Sequence, residues 1–237
     1  MSMKSFFLGN KLTYKIYLYY DLYIRNFYKK KSRYYSQWGE DKFIFEFFKD
    51  KKKGFYFDIG SYHPVKYSNT CLLYKQGWHG VNVDANPTSI DLFNIARPKD
   101  INICAALSDK NHYVDYFVDH ALAPVNTIDE TTYKKLKSVF FKNMHVNKIK
   151  TLTIDDLKQN SLLLEKTDFL NIDIEGLDFK VLKQINLKNS NIKLAGIETH
   201  FPDGSKTKDS EDIFAYLKEN SYVIYQRVGP TTLFRKD

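Results

Sequence analysis

Short apolar runs alternate with amphipathic stretches through most of the chain after Tyr35. Gly54-Phe55-Tyr56-Phe57-Asp58-Ile59-Gly60 is apolar but for one acid and ends in Asp, Ile and Gly, which predicts a buried strand with a tight exit turn. Val65–Gln76 reads as a helix, with Pro64 before it and Gly77 closing it. Val81–Asp84 predicts a second strand, Pro87 opens a helix to about Ala96, Ile101–Leu107 predicts a third strand, and His112–Val118 alternates like an added one. Phe169–Asp173 and Lys193–Glu198 are further strands around a helix over about Leu177–Gln184. A helix near Asp212–Glu219 and two strands, Tyr222–Gln226 and Thr231–Arg235, complete the pattern, with Gly229-Pro230 as the turn between the strands. Strands separated by helices imply a parallel sheet covered on both faces, and the final strand–turn–strand requires an antiparallel last strand. The expected fold is α/β, a mostly parallel doubly wound sheet with an antiparallel C-terminal edge strand. Residues 119–150 interrupt the alternation and read as an insertion over the active site, since long irregular segments are usually functional.

Upstream, Leu12–Tyr28 contains neither Gly nor Pro, and Leu12, Ile16, Tyr19, Tyr20, Tyr23 and Phe27 recur at three- and four-residue steps, predicting a helix. Charge sets this segment apart. Of the formal net charge of +8, residues 1–35 hold +7, from eight Lys or Arg against Asp21 alone, so the rest of the chain is nearly neutral. We divide the chain into a basic, Tyr-rich extension over 1–35 and a domain over 36–237. The extension suits packing on the body, homodimerisation, or peripheral contact with a membrane whose anionic lipid faces Lys29–Lys31. Nucleic-acid stacking on interleaved Tyr and Lys is disfavoured, because one short patch on a neutral domain makes a poor groove.

A length of 237 residues with 43% hydrophobic and 27% charged positions excludes wholesale disorder. Cys71 and Cys104 are too few for a disulfide framework or a Cys-based zinc site. No run reaches the roughly 18 apolar residues of a spanning helix, and Met1–Asn10 lacks the form of a secretory signal. The expectation is a cytoplasmic protein, at the inner membrane face if the extension docks there.

Candidate chemistry gathers at the predicted strand ends, where open parallel sheets bind ligands. Asp58 with Gly60-Ser61, Asp84 with Asn86, Ser108-Asp109, Asp173 with Glu175-Gly176, and Glu198 with His200 all fall there. One such acid is often a helix cap, but a set of them converges on one crevice. Asp84, at the end of the next strand, suits the hydroxyls of an adenosine ribose. NAD fits poorly: the turn Gly60-Ser61-Tyr62-His63-Pro64 has one glycine where dinucleotide binders use three, and Asp58 would face phosphates. S-adenosylmethionine carries a sulfonium and an ammonium and no phosphate, so the same acid becomes attractive.

Five segments in order then resemble the FkbM family of S-adenosylmethionine-dependent methyltransferases: Ser36-Gln37-Trp38-Gly39-Glu40-Asp41; Phe55–Pro64; Ser68-Asn69-Thr70; Gly77–Pro87; and Asn171-Ile172-Asp173-Ile174-Glu175-Gly176. The likeness runs from about Ser36 to Arg235, is weakest over 119–150, and omits 1–35. It implies a Rossmann-like class I methyltransferase fold and O-methylation of a sugar, glycan or natural-product hydroxyl. By the same resemblance Asp58, Gly60, Ser61 and Asn69 hold the methionine end of the cofactor. Tyr62 and His63 occupy the turn beside it, Tyr62 where the family usually has a small residue and Asn. Asp84, Ala85 and Asn86 take the ribose, and Ala106, Leu107 and Ser108 lie near the adenine.

A sugar hydroxyl is a weak nucleophile that must lose its proton as the new bond forms, which calls for a base or a metal. His200 is the expected base, being half-poised near neutral pH, with Asp173, Glu198 and Glu175 around the methyl carbon. Asp173 and Glu198 with His200 or water also make an oxygen-rich set suited to Mg or Mn. Two other classes compete: a non-catalytic membrane-peripheral protein, which leaves the strand-end acids unexplained, and a nucleic-acid methyltransferase, which calls for a basic face that the neutral body lacks. No nucleic-acid partner is expected. The high content of Lys, Asn, Ile, Phe and Tyr suggests an AT-rich genome, compatible with a bacterial surface polysaccharide as acceptor.

Overall fold

A computed structural model describes residues 10–26, 33–119, 126–128, 130, 133–134, 145–158, 163–174 and 176–237. Seven strands form the main sheet: β1 (Phe55–Ile59), β2 (His79–Asp84), β3 (Ile101–Cys104), β7 (Phe169–Ile172), β8 (Leu194–Glu198), β9 (Tyr222–Val228) and β10 (Thr231–Lys236). Their spatial order is β3-β2-β1-β7-β8-β10-β9. The first five run parallel, and β10 is antiparallel to both β8 and β9. The antiparallel strand is therefore second from the edge, and β9 is the edge. Hairpin pairing requires β9 and β10 to be neighbours, and β10 is the one that takes the free side of β8. The chain runs outward from β1 to β3, then returns to β7 on β1's other side. This reversal of strand order leaves a crevice beyond the strand ends.

Side-chain alternation along each strand supplies both faces with core. Phe57 and Ile59, Leu170 and Ile172, and Ala195 and Ile197 meet Val181 and Leu182 of α7 (Asp178–Leu182) and Ile213 and Leu217 of α8 (Ser210–Glu219). Tyr56, Phe169, Leu194 and Leu233 face the opposite way, onto Ile44 and Phe48 in and after α2 (Glu40–Phe47) and onto Leu73 of α3 (Cys71–Lys75). Complete burial of each such Leu, Ile or Phe contributes roughly 1.5–3 kcal/mol. Strand ends anchored by these layers form a stiff floor.

Several elements depart from the pattern read in the sequence. The helix expected over Val65–Gln76 is only Cys71–Lys75: Tyr67 is left-handed at φ 57, and Ser68 and Thr70 give their hydroxyls to a buried polar network. The strand expected over Ile101–Leu107 breaks at Ala105; β4 (Ala106–Leu107) leaves the main sheet to pair with β6 (His145–Leu152), which also pairs antiparallel with β5 (Tyr113–Val118). The described end of the 119–150 segment is thus a strand of a second, three-stranded sheet. The remaining helices are α1 (Lys11–Tyr20), α4 (Pro87–Ala96), α5 (Ile154–Lys158) and α6 (Leu163–Lys166).

The side chain of Asn10 caps α1, accepting from the Leu12 N–H at 2.9 Å, and the helix continues as a π turn over Asp21–Arg25. Leu18 and Leu22 pack on Leu92 of α4, so one face of the helix lies on the body.

Candidate active site

Ile59, Val83, Ile172 and Ile197 form one register row across β2, β1, β7 and β8. The residues one step further along are Gly60, Asp84, Asp173 and Glu198. All four line a cavity of about 520 Å3, within the range of small-molecule sites. Neighbouring strands lie about 4.8 Å apart, so this row spans on the order of 14 Å from Asp84 to Glu198.

The β1 exit turn folds over β2. The N–H groups of Gly60 and Ser61 both donate to the Val83 carbonyl, at 2.9 and 3.1 Å. Gly60 sits at φ +78, and a Cβ there would lie 1.8 Å from the Asp173 carbonyl oxygen. Only glycine lets the ends of β1 and β7 approach this closely. Gly60→Ala is expected to combine left-handed strain with a backbone clash, about 3 kcal/mol or more, lowering Tm by roughly 6–12 °C in a thermal melt.

Asp84 organises the β2 end. Its Oδ2 accepts from the Tyr62 N–H at 2.8 Å and its Oδ1 from the Asn86 N–H at 2.7 Å. Burial pushes its pKa up to about 6, against the pull of these two donors. The Asn86 side chain accepts from the Thr88 N–H at 3.0 Å and so caps α4, with Pro87 in the first turn. Ser89 in that turn also lines the cavity, and its hydroxyl is buried without a hydrogen-bond partner in the protein. Ala85, Asn86, Ala106 and Leu107 are lining residues too, joined by Tyr116 of β5 and by Thr127 of the described part of 119–150.

Asp58 reaches the cavity differently from the sequence expectation. Its carboxylate accepts from Thr70 Oγ1 at 2.6 Å and from Asn171 Nδ2 at 2.9 Å, while Asn171 Oδ1 accepts from Asn69 Nδ2 at 2.9 Å. Burial pushes its pKa upward. Beneath them Arg97, 1% exposed, donates to Thr70 Oγ1, Ser68 Oγ and the Pro64 carbonyl. The Thr70 hydroxyl bridges the two groups, accepting from Arg97 and donating to Asp58, and the attraction between the charges offsets part of the cost of burying them. Asp58 is the keystone of this network and Asn69 and Asn171 are its cavity-facing amides. Sequence reading singled out neither Arg97 nor Asn171 for such a role.

Three expected site residues lie off the cavity wall. His63 is 1% exposed: its Nδ1 accepts from the N–H groups of Val65 and Lys66, so Nε2 carries the proton and donates to Asp21 Oδ1 of the N-terminal segment at 2.9 Å. Burial pushes its pKa down, and its two ring nitrogens clamp the turn between the Val65 and Lys66 backbone and Asp21. Ser108 turns to the Asp109 carboxylate, its backbone joined to Leu152 and Gln184. His200, the expected base, is 4% exposed; its Nδ1 bonds Thr199 Oγ1 at 2.8 Å and its ring meets Phe214 edge-on. The backbone N–H of His200 donates to the Pro230 carbonyl, and His200 is not among the residues that line the cavity. Glu175 lies outside the described residues.

Asp173 and Glu198 do line the cavity, and Glu40, Trp38, Gln37 and Thr231 join them at that end. Glu40 accepts from the Trp38 N–H at 2.9 Å, and burial pushes its pKa up. The turn carrying it is held by Asp41, which accepts from the Tyr35 N–H and the Ser36 hydroxyl, each at 2.6 Å. Trp38, 48% exposed, lies over Gly229 in the β9–β10 turn, where a Cβ would come within 2.6 Å of the ring. These residues belong to the Ser36–Asp41 segment, whose acid and aromatic were the available signal. Among the described residues no group of three His, Cys, Asp or Glu side chains is placed to hold a metal ion.

A cavity across the ends of a mostly parallel sheet, walled by acids and amides, defines a class of ligand-binding α/β domain, and its chemistry follows from the sequence family. Residues 58–224 match the methyltransferase FkbM domain, from Asp58 into β9. The chain belongs to that family and is a methyltransferase. No curated protein matches it closely enough to serve as a relative.

Proposed function

We propose that the protein is an S-adenosylmethionine-dependent O-methyltransferase of Rossmann-like class I architecture, acting on a hydroxyl of a sugar or glycan. The observation that carries this reading is the division of the cavity into two chemically distinct ends along one strand-end row. At the β2 end, Asp84 supplies a carboxylate for the paired hydroxyls of a ribose. Ser89 offers an unsatisfied hydroxyl, and Ala106, Leu107 and Tyr116 give apolar walls suited to a purine. In the middle, the Gly60 turn lets ligand approach the backbone, and Asp58, screened by Thr70 and Asn171, places negative potential near a sulfonium and ammonium. The residues fit this cofactor, which when bound supplies an electrophilic methyl group.

At the β8 end, Glu198 and Asp173 are carboxylates able to orient an acceptor hydroxyl and take its proton. Glu198 is the general base in this reading, replacing His200. Half-exposed Trp38 offers a flat apolar face to the C–H side of a sugar ring, while Glu40 and Thr231 offer hydrogen-bonding groups to its hydroxyls. The near-neutral body favours a glycan over a polyanionic nucleic acid. Transfer of radiolabelled methyl from the cofactor to nucleotide sugars or capsule fragments tests the assignment; label appearing only in RNA, DNA or protein would refute it.

Protonation of Asp84 gives a pH signature. Its pKa of about 6 means that the carboxylate, the form that accepts from ribose hydroxyls, is lost as pH falls through 6. Cofactor affinity is expected to fall about tenfold between pH 7 and pH 5 by proton linkage, measurable by calorimetry. Folding stability moves the other way: a carboxyl whose pKa is raised on folding contributes more as pH falls from about 6 towards 4, where the folded form takes up the proton first.

A further inference from the structure

Helix α1 has a second apolar face that its docking on α4 leaves uncovered. Leu18 and Leu22 are buried, and the Tyr14 hydroxyl donates to Asp91 at 2.6 Å, so the inner face is committed to the body. On the outer side Leu12 is 69% exposed, Ile16 54% and Ile24 65%, with Tyr19, Tyr20 and Tyr23 close to half-exposed. At about 100° per residue, positions 12, 16, 19, 20 and 23 share an arc roughly 100° wide, with Ile24 at its rim. Six large apolar or aromatic side chains in one solvent-facing stripe mark an interaction surface.

Charge identifies what covers it. Lys11 and Lys15 lie on the same helix, and Lys29, Lys30, Lys31 and Arg33 follow closely in sequence. Residues 1–35 hold +7 of the net +8. Arg25 is occupied by Asp21 at 3.0 Å, so the remaining positive charge of the segment is carried mostly by lysine. An apolar stripe rich in tyrosine, on a segment that carries +7, matches a surface that is anionic at the headgroups and apolar below. A second copy of the chain fits poorly, because a symmetric contact would bring two +7 segments together. Among the described residues no helix is long and apolar enough to cross a membrane, so the contact is in the plane of the interface.

We propose that α1 seats the protein on an anionic lipid bilayer, with Leu12, Ile16 and Ile24 at the acyl boundary and the tyrosines among the headgroups, while its inner face stays on α4. This contact goes beyond methyl transfer and stands or falls separately from it. The test is co-sedimentation of the full chain with vesicles of phosphatidylglycerol and phosphatidylcholine in equal parts, against phosphatidylcholine alone. Partitioning is expected to be at least about tenfold stronger on the anionic vesicles and to weaken with salt. Lys11→Ala with Lys15→Ala should reduce it about tenfold or more, and Ile16→Glu with Ile24→Glu should abolish it while thermal stability and cofactor affinity stay unchanged. Equal binding to both vesicle types, no binding to the anionic ones, or a dimer in light scattering that Ile16→Glu with Ile24→Glu dissociates would overturn the proposal.

Discussion

Glu198→Gln is expected to lower kcat by about 10²–10⁴-fold, the span typical of a lost general base, on whichever acceptor the wild-type enzyme methylates. Gln keeps the shape and can still orient a hydroxyl, but cannot take its proton. Cofactor affinity should change less than threefold, because Glu198 lies three strands from Asp84 along the row. His200→Ala supplies the contrast: its imidazole is bonded to Thr199, packed on Phe214 and pushed to a lower pKa by burial and by Arg227 and Lys206. Turnover in that variant should stay within a few-fold of wild type once loss of stability is allowed for. Asp173→Asn separates the two carboxylates; a larger kcat loss there than in Glu198→Gln would move the base to β7.

The second large effect falls on the cofactor. Asp84→Ala removes a carboxylate positioned by two backbone donors, and charge-assisted hydrogen bonds are worth about 1.5–3 kcal/mol each. Dissociation constants for S-adenosylmethionine should rise on the order of 10²-fold or more. Release of the Tyr62 and Asn86 N–H groups also loosens the turn, so Asp84→Asn is the better-behaved companion. It keeps one acceptor oxygen and should give a smaller loss that no longer varies between pH 7 and pH 5. An Asp84→Asn enzyme retaining the wild-type pH dependence would show that another group titrates.

Much of this arrangement is legible in the sequence because strand periodicity and strand-end chemistry are local. Phe55–Ile59 and Pro87–Ala96 follow directly from an apolar run and from an Asn-Pro helix start. The acids Asp84, Asp173 and Glu198 fall where ligands bind because strands of similar length stop in register. Side-chain direction is not local in this way. His200 lies two residues past Glu198, which by alternation alone would aim it at the same side, but the β8–β10 pairing ends there and the backbone bonds Pro230 instead. Asp58 is a strand-end acid whose partners, Thr70 and Asn171, come from 12 and 113 residues away. Its role as a network keystone depends on tertiary packing that no window of sequence contains. The strand His145–Leu152 escaped because its apolar residues Val146, Ile149 and Leu152 fall at three-residue steps, off the period of two, on a largely exposed ribbon whose partner β5 is separated from it by the long 119–144 stretch. Helix α2 is eight residues long in a run of aromatic residues that fits strand or helix equally.

Isothermal titration of the wild-type protein with S-adenosylmethionine at neutral pH tests the cofactor reading most directly. Saturable one-to-one binding, competed by S-adenosylhomocysteine and weakened in Asp84→Ala, is the expected result. No heat at roughly 1 mM ligand, a concentration that reports even a weak site, or preferential binding of a pyrophosphate dinucleotide, would contradict it.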